Sequence, residues 1–409
     1  LGRVHSESEM VLKNGKNNTA IYVEGHSGAN TLYDVDVKSI ETDTTGNAQE
    51  DSVYIFAKGK GRVKTDDTAG GLSIKGKISS GNPEFDSGTN KVSKTVGAVY
   101  ATGEATEVDI KQATANTFGR AGATDYNIDI TGAQVKDKST QELLDMYSGF
   151  GLFAENGAKI KANYNKVKAV DTGAAIASVG KDSNNVGASI ILDNGEVYYK
   201  GSGFALFTKD GGEISLQNGK LTLDGKATGF SVDYAAATQP IDLTGTTVNI
   251  DSDDAILMSV KNVTSLGTTG MGTALLSKVG LTPASIGGTG TKYKYAVLDG
   301  ATINVDGNID KADTTSTSDS YIFTRRIQLQ NTNINVLSGN TVKAHLNTTE
   351  LASINPNLSV PVGLDVSASG NSTSRATTGV NVANGATITV DRTDSGNGGV
   401  GAYVNYGTI

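Results

Sequence analysis

The 409-residue chain contains no cysteine and no tryptophan, and it has only five prolines and three histidines. The lack of cysteine excludes a disulfide scaffold and any zinc site built on thiolates. No stretch of about 18 apolar residues occurs, so no segment has the composition of a membrane-spanning helix. The formal net charge is −8 and no run of lysine or arginine is present. Both observations argue against a nucleic-acid partner.

Neither end of the chain resembles the end of a complete protein. The first residues, LGRVHSESEM, contain no apolar core of a signal peptide, and the last residues, AYVNYGTI, form a strand-like run without a cap. We therefore expect the sequence to be a piece of a longer protein.

Three residue types are abundant and point to one fold class. The chain has 51 glycines, 47 threonines and 32 asparagines, which together make about a third of it. Threonine favours strands, whereas glycine and asparagine favour tight turns. The composition predicts an all-β protein with many turns.

A short pattern recurs: two hydrophobic residues, the second often aromatic, then a small residue, a short gap, glycine and an alternating strand. The clearest copies are IFAKGKGRVKT (55–65), VYATGEATEVDI (99–110), LFAENGAKIKA (152–162) and LFTKDGGEISL (206–216). Later copies are spaced by 24 to 30 residues, starting from Leu152 and continuing at Ile176, Leu206, Val232 and Leu257. This period predicts a β-solenoid, specifically a right-handed parallel β-helix spanning residues 1–409 as a single unit.

The alternation within the copies predicts which side chains enter the core. Ile55, Leu152 and Leu206 share one position, and we expect this aliphatic position to lie inside. The aromatic position that follows it faces the other way, so we expect its members to form a partly exposed ladder or a corner, with the reverse facing as the alternative. Its members are Phe56, Tyr100, Phe153, Phe207 and Phe323.

Four segments interrupt the repeat and are predicted to be inserted loops. They cover approximately residues 79–95, 112–148, 264–295 and 340–378. One to three short helices are expected within them. The clearest signal is a capping box formed by Ser139 and Glu142 ahead of two leucines.

Catalytic and metal-binding patterns are sparse. His5, His26 and His345 are scattered, so we expect no metal, no cofactor and no enzyme activity. The closest approach to a catalytic cluster is Asp251 with Asp253 and Asp254, which resembles the acidic strand of the polygalacturonase family. That family's other motifs do not accompany the cluster, although a β-helical polysaccharide lyase or hydrolase remains an alternative.

The repeated unit, in copies such as LFAENGAKIKA and VANGATITV, resembles the passenger domain of type V autotransporters. The amino-acid composition, rich in lysine and asparagine and without cysteine or tryptophan, is similar to that of the large fusobacterial outer-membrane adhesins. The resemblance implies display on the bacterial cell surface, with anchoring in the outer membrane through a C-terminal barrel absent from this chain.

The resemblance also implies a function. We expect a cell-surface adhesin fragment that binds a host-cell receptor or glycan, or other bacteria, through its inserted loops, without contacting a membrane itself. A structural stalk spacer is the other alternative. Aromatic and charged residues in two insertions are the candidate ligand contacts. They are Arg120, Asp125, Tyr126, Tyr293, Lys294 and Tyr295.

Overall fold

A computed structural model describes the chain in segments, most continuously between residues 149 and 251. The described residues are 2–12, 18–25, 31–42, 52–65, 72–77, 85–86, 91–92, 96–112, 126–136, 143–147, 149–201, 203–225, 227–232, 241–251, 256–260, 296–299, 302–305, 309–312, 319–321, 328–330, 333–336, 341–346, 362–367, 379–382, 384, 387–392 and 400–405.

These residues form strands and turns and contain no helix, so the all-β prediction is confirmed for them. Within the same residues, no helix is long and apolar enough to cross a membrane. The strands are β1 (Gly2–Leu12), β2 (Thr19–Glu24), β3 (Thr31–Thr42), β4 (Ser52–Lys58), β5 (Gly61–Thr65), β6 (Ser73–Lys77), β7 (Phe85–Asp86), β8 (Lys91–Val92), β9 (Val96–Thr102), β10 (Glu107–Asp109), β11 (Ile128–Thr131), β12 (Gln134–Lys136), β13 (Leu143–Tyr147), β14 (Phe150–Glu155), β15 (Lys159–Lys161), β16 (Lys166–Val170), β17 (Ala174–Val179), β18 (Ser189–Ile191), β19 (Glu196–Lys200), β20 (Phe204–Lys209), β21 (Glu213–Ser215), β22 (Lys220–Asp224), β23 (Thr228–Val232), β24 (Ile241–Asp242), β25 (Thr247–Ile250), β26 (Ile256–Val260), β27 (Ala296–Asp299), β28 (Thr302–Val305), β29 (Ile309–Ala312), β30 (Asp319–Tyr321), β31 (Gln328–Gln330), β32 (Asn333–Val336), β33 (Thr341–Leu346), β34 (Val362–Ser367), β35 (Gly379–Val382), β36 (Thr387–Arg392) and β37 (Val400–Asn405).

From β14 to β25, each strand pairs in parallel with the strand three places later in the chain, which gives three columns that extend to β28. The first column, β14–β17–β20–β23–β26, belongs to a nine-stranded sheet. The second column, β15–β18–β21–β24–β27, and the third, β16–β19–β22–β25–β28, belong to a 19-stranded sheet. This arrangement is consistent with a parallel β-solenoid.

The predicted spacing is right for the best copies and wrong for the next two. Leu152 pairs with Ile176, and Ile176 pairs with Leu206, at the predicted separations. Leu206, however, pairs with Phe230 rather than Val232, and Phe230 pairs with Met258 rather than Leu257. Phe230 and Val232 lie two residues apart in one strand, so the alternation alone does not choose between them.

The aliphatic position lies inside, as predicted. Ile55 and Leu206 are both fully buried in the main hydrophobic core, together with the aliphatic residues of the other two columns. Every second residue of the third column also enters this core; Val167 and Ala169 in β16 are examples. Strands from the two sheets thus bury one shared set of inward side chains.

The expectation of a partly exposed aromatic ladder is wrong for the residues whose side chains are described. Phe56, Tyr100, Phe153 and Phe207, here called the aromatic column, are at most 3% exposed. They form a second hydrophobic cluster, separate from the main core. From β4 to β20 the outward face of the nine-stranded sheet is therefore buried as well as its inward face, whereas Tyr22 on β2 is 49% exposed. Phe323 lies outside the described residues.

The helix predicted after Ser139 and Glu142 is also wrong where it can be examined. Residues Leu143–Tyr147 form β13, which pairs in antiparallel fashion with β12. Antiparallel pairing with β12, which ends only seven residues before β13 begins, outweighs the capping signal, because helix propensity is a weak preference that other contacts override. The other two suggested helices lie outside the described residues.

The predicted insertions contain some paired strands. Segment 112–148 includes β11, which pairs in parallel with β6 and β16 in the 19-stranded sheet. Segment 79–95 includes the short antiparallel pair β7 and β8. Segment 340–378 includes β33 and β34, and segment 264–295 lies outside the described residues.

Candidate binding surface

Among the six predicted contact residues, Tyr126 is the one that the structure describes. It lies two residues before β11, where Ile128 and Ile130 are fully buried while Tyr126 itself is partly exposed. Arg120, Asp125, Tyr293, Lys294 and Tyr295 lie outside the described residues.

Tyr126 contacts residues from a strand two places away in the sheet. Its hydroxyl donates a hydrogen bond to Glu196 Oε1 at 3.0 Å. Its ring centroid lies 6.0 Å from that of Tyr198, with the two rings inclined by 52°. Since Glu196 and Tyr198 both belong to β19, Tyr126 reaches across β16 to join them.

Tyr198 is held by a second carboxylate. Its hydroxyl donates to Asp224 Oδ2 at 2.6 Å, and Lys200 Nζ donates to the same oxygen at 3.0 Å. The backbone N–H of Gly225 donates to Asp224 Oδ1 at 2.7 Å. Three donors therefore hold the Asp224 carboxylate next to the phenol of Tyr198.

Alternation along β19 explains why these groups point outward. Val197 and Tyr199 are fully buried, so Glu196, Tyr198 and Lys200 lie on the opposite face. The sequence analysis did not select Tyr198. The signal was present in the run EVYYK, where only one of the two adjacent tyrosines can face the core.

Lysines surround both carboxylates. Lys166 Nζ lies 3.5 Å from Glu196 Oε2, and Lys220 Nζ lies 3.2 Å from Glu196 Oε1. Lys168 Nζ lies 3.3 Å from Asp129 Oδ2 on the neighbouring strands. These ion pairs leave the surface close to electrical neutrality. We call the group formed by Tyr126, Glu196, Tyr198 and Asp224 the tyrosine–carboxylate patch.

The pKa values of Tyr126, Tyr198 and Asp224 keep these three groups in fixed protonation states at neutral pH. Burial, reinforced by the neighbouring carboxylates, raises the pKa of Tyr126 and of Tyr198 well above the usual tyrosine range. Burial alone would raise the pKa of Asp224, but its hydrogen bonds from Tyr198, Lys200 and Gly225 outweigh that effect and lower it. Both phenols therefore remain hydrogen-bond donors and Asp224 remains an acceptor.

The patch is chemically suited to binding. Two partly exposed rings and two ordered carboxylates can bind the apolar face and the hydroxyls of a polar ligand. Within the described residues, no group of three or more histidine, aspartate or glutamate side chains is arranged to hold a metal ion.

The acidic cluster noted in the sequence is described only in part. Asp251 is exposed at the end of β25, and its backbone N–H donates to Leu223 O at 2.9 Å. Asp253 and Asp254 lie outside the described residues. Only Asp251 of this cluster is therefore described, and the structure does not show the pair of carboxylates that the polysaccharide-cleaving alternative needs from it.

The chain matches no protein-family model, no curated protein and no solved structure. The interpretation of function consequently depends on the residues of the chain and their geometry.

Proposed function

We propose that the chain is a right-handed parallel β-helix from the passenger domain of an autotransporter, and that it acts as an adhesin on a bacterial surface. Three columns of parallel strands support the architecture, and the sequence resemblance supports the family. The single observation that carries the binding role is the tyrosine–carboxylate patch, which presents two aromatic rings on the solvated face of a sheet.

A glycan is the ligand that the patch suits best. Aromatic rings pack against the C–H face of a sugar ring, while ionised carboxylates accept hydrogen bonds from its hydroxyls. Ordering costs are small, because both phenols are already held by Glu196 and Asp224. The near balance of lysines and carboxylates favours an uncharged sugar over a polyanion.

Binding of the purified chain to glycan-coated surfaces and to cultured host cells tests this function. Tyr198→Ala removes the central ring and should weaken binding by roughly thirtyfold, the effect of losing one central aromatic contact. Tyr22→Ala is the matched control, because Tyr22 also has a carboxylate partner, Glu24, but lies 49% exposed in the other sheet. It should bind like the parent.

Two results would contradict the proposal, and they differ in meaning. If the parent binds no glycan and no cell, the chain acts as a stalk spacer. If the parent binds and Tyr198→Ala binds equally well, adhesion resides outside the patch. Far-ultraviolet circular dichroism of each variant checks that the strands remain folded.

A further inference from the structure

The outward position occupied by Tyr198 continues in register across five more parallel strands. The pairings link Tyr198 to Thr222, Thr222 to Asn249 and Asn249 to Asn304, and then continue through β32 to β35. We call these six residues the Tyr–Asn row. Its members are Tyr198, Thr222, Asn249, Asn304, Asn335 and Asn381.

Where its side chains are described, at Tyr198, Thr222 and Asn249, the row lies on the face of the sheet opposite to the residues of the core that flank them in β19 and β25. In β25, Val248 and Ile250 are fully buried, whereas Thr247 and Asn249 are partly exposed. The parallel register assigns Asn304, on β28, to the same face as Asn249. Thr222 is 5% exposed, so its side chain is less accessible than those of Tyr198 and Asn249 on either side.

The six residues of the row are uncharged, whereas the same register position on the three preceding strands carries Lys168, Asp129 and Lys75. The position two residues earlier carries charges only on its first two strands, at Glu196 and Lys220. It then continues as Thr247, Thr302 and Asn333. At these two positions β25, β28 and β32 therefore carry hydroxyl and amide groups, while the exposed Asp251 lies two residues after Asn249.

We propose that the Tyr–Asn row is a track for a neutral, linear polysaccharide that lies perpendicular to the strands, with one sugar stacked on Tyr198. Adjacent strands are about 4.8 Å apart. This spacing is close to the repeat of one sugar unit in an extended β-linked hexose chain. Each amide has two donors and two acceptors, so bonding along the row still leaves capacity for sugar hydroxyls.

Charge selects this ligand over other polymers. A nucleic acid or an acidic polysaccharide needs cations along its path, and the row offers none beyond the lysines near β19 and β22. The inference rests on the proposed function, since Tyr198 is the end of the row that joins the tyrosine–carboxylate patch.

Calorimetry with β-1,4-linked glucose oligomers tests the track. A hexasaccharide should bind the full chain at least roughly tenfold more tightly than a disaccharide, because additional sugars reach Asn249 and Asn304. The double variant Asn249→Thr with Asn304→Thr preserves strand propensity and should lose most of that length dependence while still binding the disaccharide at Tyr198. Lys64→Thr, on β5 of the same sheet but paired with Asp109 in a different column of strands, is the control and should bind like the parent.

Each unfavourable result has a separate meaning. If Tyr198→Ala weakens binding but the affinity does not increase with oligomer length, the track is overturned. The proposed function still stands in that case. Stronger binding of polygalacturonate than of glucose oligomers overturns the neutral ligand. If the parent self-associates in sedimentation experiments and the double variant does not, the row contacts a second copy of the chain. That result overturns the proposal. Absence of binding by any oligomer, accompanied by adhesion that requires Tyr198, also overturns it.

Discussion

The outward faces of the two sheets differ in what the alternating strand pattern places on them. In the nine-stranded sheet, the outward positions of β14 hold Phe150 and Phe153, which are buried in the aromatic cluster. In the 19-stranded sheet, the outward positions of β16 hold Lys166 and Lys168, which make partly exposed ion pairs. Both faces lie opposite the same main core. The outward face of the nine-stranded sheet nevertheless forms a second core, whereas that of the 19-stranded sheet is a polar surface.

The difference shows that side-chain chemistry at the outward positions decides the role of each face. Rings in the aromatic column lie close enough to pack on one another, with centroids 5.2 Å apart for Phe56 and Tyr100 and for Tyr100 and Phe153. Such pairs stabilise a buried cluster beyond the area that they remove from water. Charged positions gain little from stacking and remain in contact with solvent.

The largest expected effect comes from placing a charge in the main core. Leu206→Asp should lower the free energy of unfolding by more than about 4 kcal/mol, because a carboxylate without a partner enters a dry interior. Chemical denaturation measures the change. Leu206→Met is the matched control and should cost less than about 1.5 kcal/mol. A parent-like transition for Leu206→Asp would contradict the inward position of this column.

The second effect tests whether the aromatic column is a true core. Phe153→Ala should cost about 3 kcal/mol, since Phe153 is 3% exposed and contacts Tyr100 and Phe150. Tyr22→Ala, at the exposed end of the same sheet, should cost less than about 1 kcal/mol. Equal losses for the two variants would mean that the outward face of this sheet behaves as surface.

A smaller effect concerns the polar group within the buried face. Tyr100 donates a hydrogen bond to Glu155 Oε2 at 2.7 Å, and both residues are at most 1% exposed. Tyr100→Phe keeps the ring but removes the donor, which should cost about 2 kcal/mol. A double-mutant cycle with Glu155→Gln measures the coupling directly, and additive losses would show that the hydrogen bond contributes nothing.

The smallest effect is the response of the polar face to acid. The pKa of folded Asp224 is lowered, so its stabilisation is present above the usual aspartate pKa of about 3.9 and is lost as pH falls through the lower folded value. Thermal unfolding should change little between about pH 7 and 5 and decline below about pH 4. Because Asp224 is largely screened by solvent, its share should not exceed about 1 kcal/mol.

Asp224→Asn checks that assignment. The variant should be slightly less stable than the parent at neutral pH, and its melting temperature should fall less steeply in acid. If the melting temperatures of parent and variant fall identically in acid, Asp224 does not contribute to the loss of stability. Measurements at high salt should narrow the gap between the two proteins, since ion pairs at this surface are screened.

Local alternation was enough to predict the strands of the clearest repeat copies and their inward residues. Leu152, Ile176 and Leu206 occupy aligned positions because each copy must return the same apolar side chain to one core. Tyr126 is a candidate contact because it is an aromatic residue in a predicted insertion, and that criterion does not select Tyr198. Pairing across β16 brings these two rings together, and no sequence interval between positions 126 and 198 indicates that contact.

The amino-acid sequence by itself determined that this chain forms parallel strands with an aliphatic core, because period-two alternation and a recurring turn act within a few residues. Only the tertiary structure decided three further features: the burial of the aromatic column, the pairing of Leu206 with Phe230, and the strand rather than helix at Leu143–Tyr147. The first two depend on contacts between segments distant in the chain, and the third depends on pairing with the neighbouring strand β12; the energies of these contacts outweigh local preference.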